Sequence, residues 1–157
     1  MADVIRRRQK QGAHIPVMPE EVLNLWVAPN ANARYFIDAT AGHGGHAEMI
    51  LRLYPEAHVL CVDRDPQVLA YARRLISQSD ETLLERAYFY RGSFANLKEA
   101  IELTKFPAHK VDGIFFDLGL NSSHIDSAER GFSYRQDGRL DMRYNPVGGR
   151  VLRLLSS

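Results

Sequence analysis

Short apolar runs alternate with longer amphipathic segments along the chain from Tyr35 onward. The short runs lack polar alternation, which is typical of strands that are covered on both faces. The predicted strands are Tyr35–Ile37, His58–Val62, Ala87–Tyr90 and Val111–Phe116. Apolar positions at helical spacing predict helices over His46–Tyr54, from Pro66 past Ile76, and over Phe94–Leu103, with a leading helix over Glu20–Trp26.

Strands that alternate with helices predict a parallel sheet with right-handed crossovers. The fold class is therefore α/β, a doubly wound parallel sheet of the Rossmann-like kind. After Asp117 the alternation stops, and residues 118–157 are rich in glycine, serine, aspartate and arginine. Only Val147–Leu155 predicts a further short helix. Because four strands are few for this class, we expect a sheet that is incomplete at the C-terminus.

Composition places the chain among ordinary globular proteins. It has 157 residues, of which 45% are hydrophobic and 25% charged, as expected for one domain. No apolar run approaches the roughly 20 residues that span a bilayer. The single cysteine, Cys61, excludes an intrachain disulfide, and its predicted place inside a strand makes it a poor nucleophile.

Charge is distributed unevenly along the chain, although the net charge is only +1. Residues 1–12 carry four basic groups against one acidic, residues 13–129 carry 10 against 16, and residues 130–157 carry six against two. Of the 20 cationic residues, 16 are arginine, which pairs with phosphate and stacks on bases. Nucleic acid is therefore a candidate partner, and solvated basic tails are the alternative.

Three of the four predicted strands are followed by or end at an acid, namely Asp38, Asp63 and Asp117. In a parallel sheet the carboxyl ends of the strands meet at one edge, where ligands bind. A helix cap or an ordinary loop residue explains one such acid. Three at the same edge predict a ligand site.

The segment from Asp38 to His46 is a glycine-rich loop between the first strand and its helix. Glycines allow close approach of a ligand, and a helix start offers amide groups. Asp63 lies 19 residues beyond Gly44, where an acid accepts hydrogen bonds from ribose hydroxyls. The loop thus predicts an adenosine-containing cofactor, with NAD left open. We expect no metal, because His43 and His46 lack convergent ligands, and no sequence of the P-loop type is present.

Several motifs occur in the order found in one family. They are His14–Met18, the glycine loop, Asp63–Pro66, Gly92–Phe94, Asp117–Gly119, Glu129–Ser133 and Asp137–Arg143. With them, the sequence from about His14 to Pro146 resembles the MraW-type methyltransferases. These enzymes use S-adenosylmethionine to methylate the N4 amine of a cytidine in small-subunit rRNA. The Glu-Arg-Gly-Phe-Ser and Leu-Asp-Met-Arg segments are specific to that family, whereas the glycine loop is widespread.

The resemblance implies roles for individual residues. Gly44, Gly45 and His46 would line the methionine and ribose end of the cofactor, and Asp63 would bind the ribose hydroxyls. Phe94 would pack near the adenine, and His124, where the family usually has glutamine, would be a further cofactor contact. Asp117 would lie near the transferred methyl group, as cofactor contact and catalytic residue. The RNA-binding candidates are Arg130, Arg135, Arg139 and Arg143, some of which are expected to pair with Glu129, Asp137 or Asp141 instead.

The resemblance also implies a division of the chain. We expect a basic flexible arm over residues 1–13, the N-terminal part of the methyltransferase domain over 14–146 and a divergent tail over 147–157. The expected partner is small-subunit rRNA or the assembled subunit, in the bacterial cytoplasm or alternatively in a mitochondrial or other organelle matrix. Two other functions stay open: a cofactor- or RNA-binding fragment without catalysis, and an NAD-dependent oxidoreductase, which leaves residues 129–143 without a role.

Overall fold

The four predicted strands form one parallel sheet in the computed structural model. They are β1 (Tyr35–Asp38), β2 (His58–Asp63), β3 (Ala87–Arg91) and β4 (Gly113–Phe115). Their spatial order is β3-β2-β1-β4, and every neighbouring pair is parallel. The order in which the strands are added to the sheet therefore reverses between β3 and β4, and the carboxyl ends of β1 and β4 lie side by side.

The structure describes residues 18–24, 32–119, 125–133, 135, 137–139 and 141–143. The predicted arm over 1–13, the tail over 147–157 with its short helix, and His124 lie outside these ranges. The chain divides into two compact units, Met1–Asp117 and Leu118–Ser157. The first unit contains the whole sheet.

The helices of the first unit are α1 (Pro19–Val22), α2 (Gly45–Leu53), α3 (Pro66–Ser79) and α4 (Leu97–Thr104). The predicted start of one helix is wrong. The helix predicted from Phe94 starts as a 3-10 turn over Phe94–Asn96, because the Ser93 hydroxyl accepts the Ala95 N–H at 3.2 Å and caps a tight turn. The leading helix is α-helical over Pro19–Val22, and its predicted end at Trp26 lies outside the described residues.

Strand β4 is shorter than the predicted Val111–Phe116. At its start the carboxylate of Asp112 replaces part of the backbone ladder, since Asp112 Oδ2 accepts the N–H groups of Arg34 at 2.7 Å and Tyr35 at 2.9 Å. The Asp112 N–H still donates to the Tyr35 carbonyl at 2.8 Å, so one backbone hydrogen bond to β1 remains before the regular strand begins. The same carboxylate fixes the register of β4 against β1.

Alternate residues of the strands enter two separate cores. Phe36, Val59 and Cys61 face α2 and α3 on one side, whereas Ile37, Leu60 and Val62 face α4 on the other. Helices therefore cover both faces, which explains the uniformly apolar strands and confirms the doubly wound α/β class. None of the described helices combines the length and apolarity that crossing a membrane requires.

Arg86 joins three segments on the side of the sheet where β2 begins. It ends a 3-10 helix over Glu81–Arg86, and its guanidinium donates to the carbonyls of Leu51 at 2.9 Å, Tyr54 at 3.1 Å and Ala57 at 2.7 Å. Leu51 lies in the last turn of α2, where carbonyl groups have no partner within the helix, and Tyr54 is the residue directly after the helix. The planar guanidinium thus caps α2 and holds the turn into β2.

We expect Arg86→Met to lower the free energy of unfolding by about 2–3 kcal/mol, because charge-assisted hydrogen bonds to half-buried carbonyls are lost. Arg86→Lys is expected to recover little of the lost stability, since an ammonium group does not reproduce the planar guanidinium fork. Urea unfolding measures both. Lys98→Met, which removes a cation from an exposed position on α4, is the control, and an equal loss in Lys98→Met contradicts the capping role.

Candidate functional site

The loop that leaves β1 is hydrogen-bonded to β4 on one side. The N–H of Ala39 donates to the carbonyl of Phe115 at 2.9 Å, continuing the pairing of the two strands. One residue further, the hydroxyl oxygen of Thr40 accepts the N–H of Asp117 at 2.7 Å. Asp117, the predicted catalytic acid, therefore lies beside the start of the glycine loop.

The same loop is hydrogen-bonded to β2 on its other side. The N–H of Ala41 donates to the Val62 carbonyl at 2.9 Å, and the N–H of Gly42 donates to Asp63 Oδ2 at 3.0 Å. The other oxygen of Asp63 accepts the N–H of Asp65 at 2.9 Å. Asp63 thus fixes the glycine loop through its carboxylate. Because each carboxylate oxygen can accept more than one hydrogen bond, Asp63 can also accept hydrogen bonds from a ligand. Its contact with ribose hydroxyls stays a prediction.

Gly44 is required by both its backbone angle and its surroundings. Its φ of 78° lies in the left-handed region, and a Cβ at this position would be only 2.8 Å from the Cβ of Ala72 on α3. The close packing sets where α2 starts, at Gly45. Among the described residues no side chain caps the first turn of α2, so this turn has amide groups suited to an anionic ligand. His46 is buried there, with its ring 4.6 Å from that of Phe115.

Asp38 is the most deeply buried of the three predicted edge acids. It is 1% exposed, its Oδ1 accepts the Thr40 N–H at 3.4 Å, and its Oδ2 has no hydrogen-bond partner among the described residues. Burial raises the pKa of Asp38 to about 7, and the nearby carboxylates of Asp63 and Asp117 contribute to the rise. The three acids are therefore close enough to interact, as the sequence predicts, and the buried one titrates near neutral pH.

Phe94 lies at the same edge with a partner that the sequence analysis did not identify. Its ring is 5.6 Å from that of Phe116 in an edge-on arrangement, and the two residues are 41% and 46% exposed. An aromatic residue directly before the strand-ending Asp117 is the signal that could have identified Phe116. The pair offers an apolar surface suited to a flat ring, and the adenine contact of Phe94 stays a prediction.

The predicted RNA-binding arginines fall in the second unit and are not equivalent. Arg143 donates to Asp141 Oδ2 at 2.7 Å, and these hydrogen bonds hold the pKa of Asp141 below its usual value. Arg130 donates through its guanidinium to the Arg143 carbonyl at 3.1 Å, and its own carbonyl accepts the Met142 N–H at 3.0 Å. Arg130 and Arg143 therefore hold this segment together. Arg135 and Arg139 are exposed.

Cys61 and His43, the remaining reactive side chains, pack against other parts of the fold. Cys61 is buried within β2, and burial, with Asp38 nearby, raises the pKa of its thiol, as its predicted poor nucleophilicity requires. The ring of His43 packs against that of Tyr71 at 4.6 Å. Within the described ranges, no three His, Cys, Asp or Glu side chains converge as a metal site would require.

Comparison with known proteins gives consistent matches. The family model described as the MraW methylase family matches residues 11–149. Ribosomal RNA small subunit methyltransferase H from Alcanivorax borkumensis is 39% identical over 140 residues, which cover 88% of this chain and 42% of that protein. The protein of the same name from Salinispora arenicola is 41% identical over 143 residues, covering 88% and 36%. The chain thus spans well under half the length of these two relatives.

One solved structure is also similar. The crystal structure of a protein provisionally described as an rRNA methylase from Clostridium thermocellum matches with a TM-score of 0.47 and 21% identity. The match covers 57% of this chain and 45% of that one.

We expect Gly44→Ala to destabilise the first unit by about 2–4 kcal/mol, because the new methyl group overlaps Ala72 and the residue must keep a positive φ. Thermal melting measures the loss. Gly119→Ala is the matched control, since no atom lies within 4 Å of a Cβ at that position. Similar melting temperatures for Gly44→Ala and wild type would contradict the close packing.

We expect the stability of the chain to fall between about pH 4 and pH 7. Across this range the folded chain keeps a proton on Asp38 that the unfolded chain releases, because the pKa is 3.8 when unperturbed and about 7 when folded. At about 1.4 kcal/mol per pKa unit, the loss reaches about 4 kcal/mol. Asp38→Asn removes this loss, so its advantage over wild type in urea unfolding is larger at pH 8 than at pH 5.

Asp137→Asn serves as the control for this pH dependence, because it changes an exposed acid in the second unit. Its difference from wild type is expected to stay constant between pH 5 and pH 8. A constant difference for Asp38→Asn as well would show that Asp38 does not titrate in this range.

Proposed function

The chain belongs to the MraW methylase family, and from that premise we propose that it transfers a methyl group from S-adenosylmethionine to the N4 amine of a cytidine in small-subunit rRNA. The observation that carries the proposal is the convergence of the glycine loop, Asp63 and Asp117 at one edge of the sheet. All three lie within the residues that the family model matches.

The residues at this edge suit S-adenosylmethionine in charge and chemical character. Asp38, Asp63 and Asp117 give the edge negative charge, which suits a ligand with a sulfonium and an ammonium group. The uncapped first turn of α2 suits the ligand's carboxylate. The exposed rings of Phe94 and Phe116 suit its adenine.

In this proposal each residue has a separate binding task. Gly44, Gly45 and His46 hold the methionine and ribose end through the loop and the start of α2. Asp63 accepts hydrogen bonds from the ribose hydroxyls with the lone pairs that the loop amides leave over. Phe94 packs against the adenine, and His124 is proposed as a further contact from sequence alone.

Asp117 is the proposed catalytic residue. The exocyclic amine of cytosine is a weak nucleophile, because its lone pair is delocalised into the ring. When bound, the cofactor supplies an electrophilic methyl group on its sulfonium centre. The Asp117 carboxylate, which is exposed at the edge, would accept a hydrogen bond from the amine, orient its nitrogen and stabilise the positive charge that develops there.

The substrate part of the proposal rests on the second unit and on the relatives' names. Arg135 and Arg139 are exposed, so we propose that they contact rRNA phosphates or bases. Arg130 and Arg143 act on the same surface indirectly, since their hydrogen bonds connect Arg130, Asp141 and Arg143.

The proposal predicts that the purified chain binds S-adenosylmethionine in calorimetric titration and does not bind NAD. Asp63→Ala is expected to weaken binding by about 10- to 100-fold, since charge-assisted hydrogen bonds of about 1.5–3 kcal/mol are lost. Asp63→Asn keeps an acceptor for the Gly42 amide but removes the negative charge. It therefore distinguishes the effect of a displaced loop from the effect of the lost charge. Glu81→Ala, at an exposed acid on the 3-10 helix after α3, is the matched control.

Incubation with small ribosomal subunits and labelled cofactor tests the second half of the proposal. N4-methylcytidine in the digested rRNA is the expected product, and methyl groups on another nucleoside would contradict the N4 assignment. Cofactor binding without transfer would favour the alternative of a binding fragment without catalysis. Saturable NAD binding would overturn the methyltransferase proposal altogether.

A further inference from the structure

The backbone N–H of Asp117 is held by a side chain and not by the sheet. Inside the sheet, β4 pairs with β1 as far as Phe115, and the last backbone bond between them runs from Ala39 to the Phe115 carbonyl. Two residues beyond Phe115, the acceptor is Thr40 Oγ1 at 2.7 Å. The Thr40 hydroxyl thus extends the connection between the two segments past the point where β4 ends.

Thr40 is itself fixed by its surroundings. Its own N–H donates to Asp38 Oδ1 at 3.4 Å, and the flanking residues Ala39 and Ala41 donate to β4 and β2. Threonine is β-branched, so its χ1 angle has few alternatives once the backbone is set. The position of the hydroxyl oxygen therefore follows from the position of the loop.

We propose that Thr40 is a positioning residue that fixes the backbone of Asp117 relative to the glycine loop. The inference rests on the proposed function, in which the loop holds the cofactor and Asp117 contacts the reacting amine. Asp117 is exposed, so burial does not hold it in place. A displacement of about 1 Å in such a group is enough to slow an in-line transfer substantially.

Three variants separate this role from general stability. Thr40→Val keeps the shape of the side chain and removes the acceptor, whereas Thr40→Ser keeps the acceptor. Thr104→Val is the matched control, because the Thr104 hydroxyl makes a side-chain hydrogen bond of the same 2.7 Å length, to the Ala100 carbonyl within α4.

Residue-resolved amide exchange by NMR tests the hydrogen bond directly. In Thr40→Val the Asp117 amide is expected to exchange about five- to tenfold faster than in wild type, as loss of a bond worth about 1 kcal/mol predicts. Thr40→Ser and Thr104→Val are expected to leave it within about twofold of wild type. Unchanged exchange of the Asp117 amide in Thr40→Val would overturn the inference.

Methyl-transfer kinetics test the consequence. Thr40→Val is expected to lower kcat about tenfold while the Kd for S-adenosylmethionine stays within about twofold, since Ala41 and Gly42 still hold the loop to β2. Thr40→Ser restores kcat, and adding Thr40→Val to Asp117→Asn lowers it no further. An equal loss in Thr104→Val, or an additive loss in the double variant, would overturn the positioning role.

The two proposals fail in different ways. A folded wild-type chain that neither binds the cofactor nor transfers methyl overturns the proposed function, and the exchange rate of the Asp117 amide still decides whether Thr40 fixes it. A wild-type chain that is active, with kcat unaffected by Thr40→Val, overturns the positioning role alone.

Discussion

The hydrogen bonds made by residues 39–42 are the constraint on which the candidate site depends. Within four residues the chain leaving β1 binds β4 and its extension twice and β2 and its acid twice. Because these bonds leave in opposite directions across the sheet, the loop cannot shift toward one neighbour without losing bonds to the other. Asp63, the last residue of β2, and Asp117, which follows β4, are thereby held at set positions relative to the same four residues.

The site keeps a costly group at its centre. A buried carboxyl is unfavourable for folding, and Asp38, whose Oδ2 has no partner in the described part of the chain, carries this cost directly behind the loop. Local rules of stability are commonly broken at functional sites and compensated elsewhere. The negative charge of the edge is consequently variable near neutral pH, because one of its three acids is only partly ionised there.

The sequence was sufficient to predict the strands, their parallel arrangement and the edge of the sheet where the acids meet. These depend on apolar periodicity and on the geometry of parallel sheets, which act over short segments. The start of α4 was misjudged, because the Ser93 cap favours a 3-10 turn over the first helical turn. The shortened start of β4 and the cap by Arg86 depend on partners about 30 to 80 residues away, which no local pattern reveals.

Contacts between distant residues were likewise not predictable within the candidate site. Thr40 and Phe116 stand inside motifs that the sequence analysis examined, yet nothing in the spacing of the motifs indicates that one accepts the Asp117 amide and the other contacts Phe94. The unequal roles of Arg130 and Arg139 likewise follow from the hydrogen bonds of Arg130 with Met142 and Arg143, which the spacing of the motifs does not reveal.

The strand order has a consequence for synthesis on the ribosome. Strands β1, β2 and β3 are neighbours in the same order in which they are translated, whereas β4 joins the free side of β1 last. The hydrogen bond between Gly42 and Asp63 therefore requires no residue beyond β2. During vectorial folding the side of the edge that contains Gly42 and Asp63 can assemble on the nascent chain before Asp117 has left the exit tunnel, and the segment with Asp117 is added to a surface that already exists.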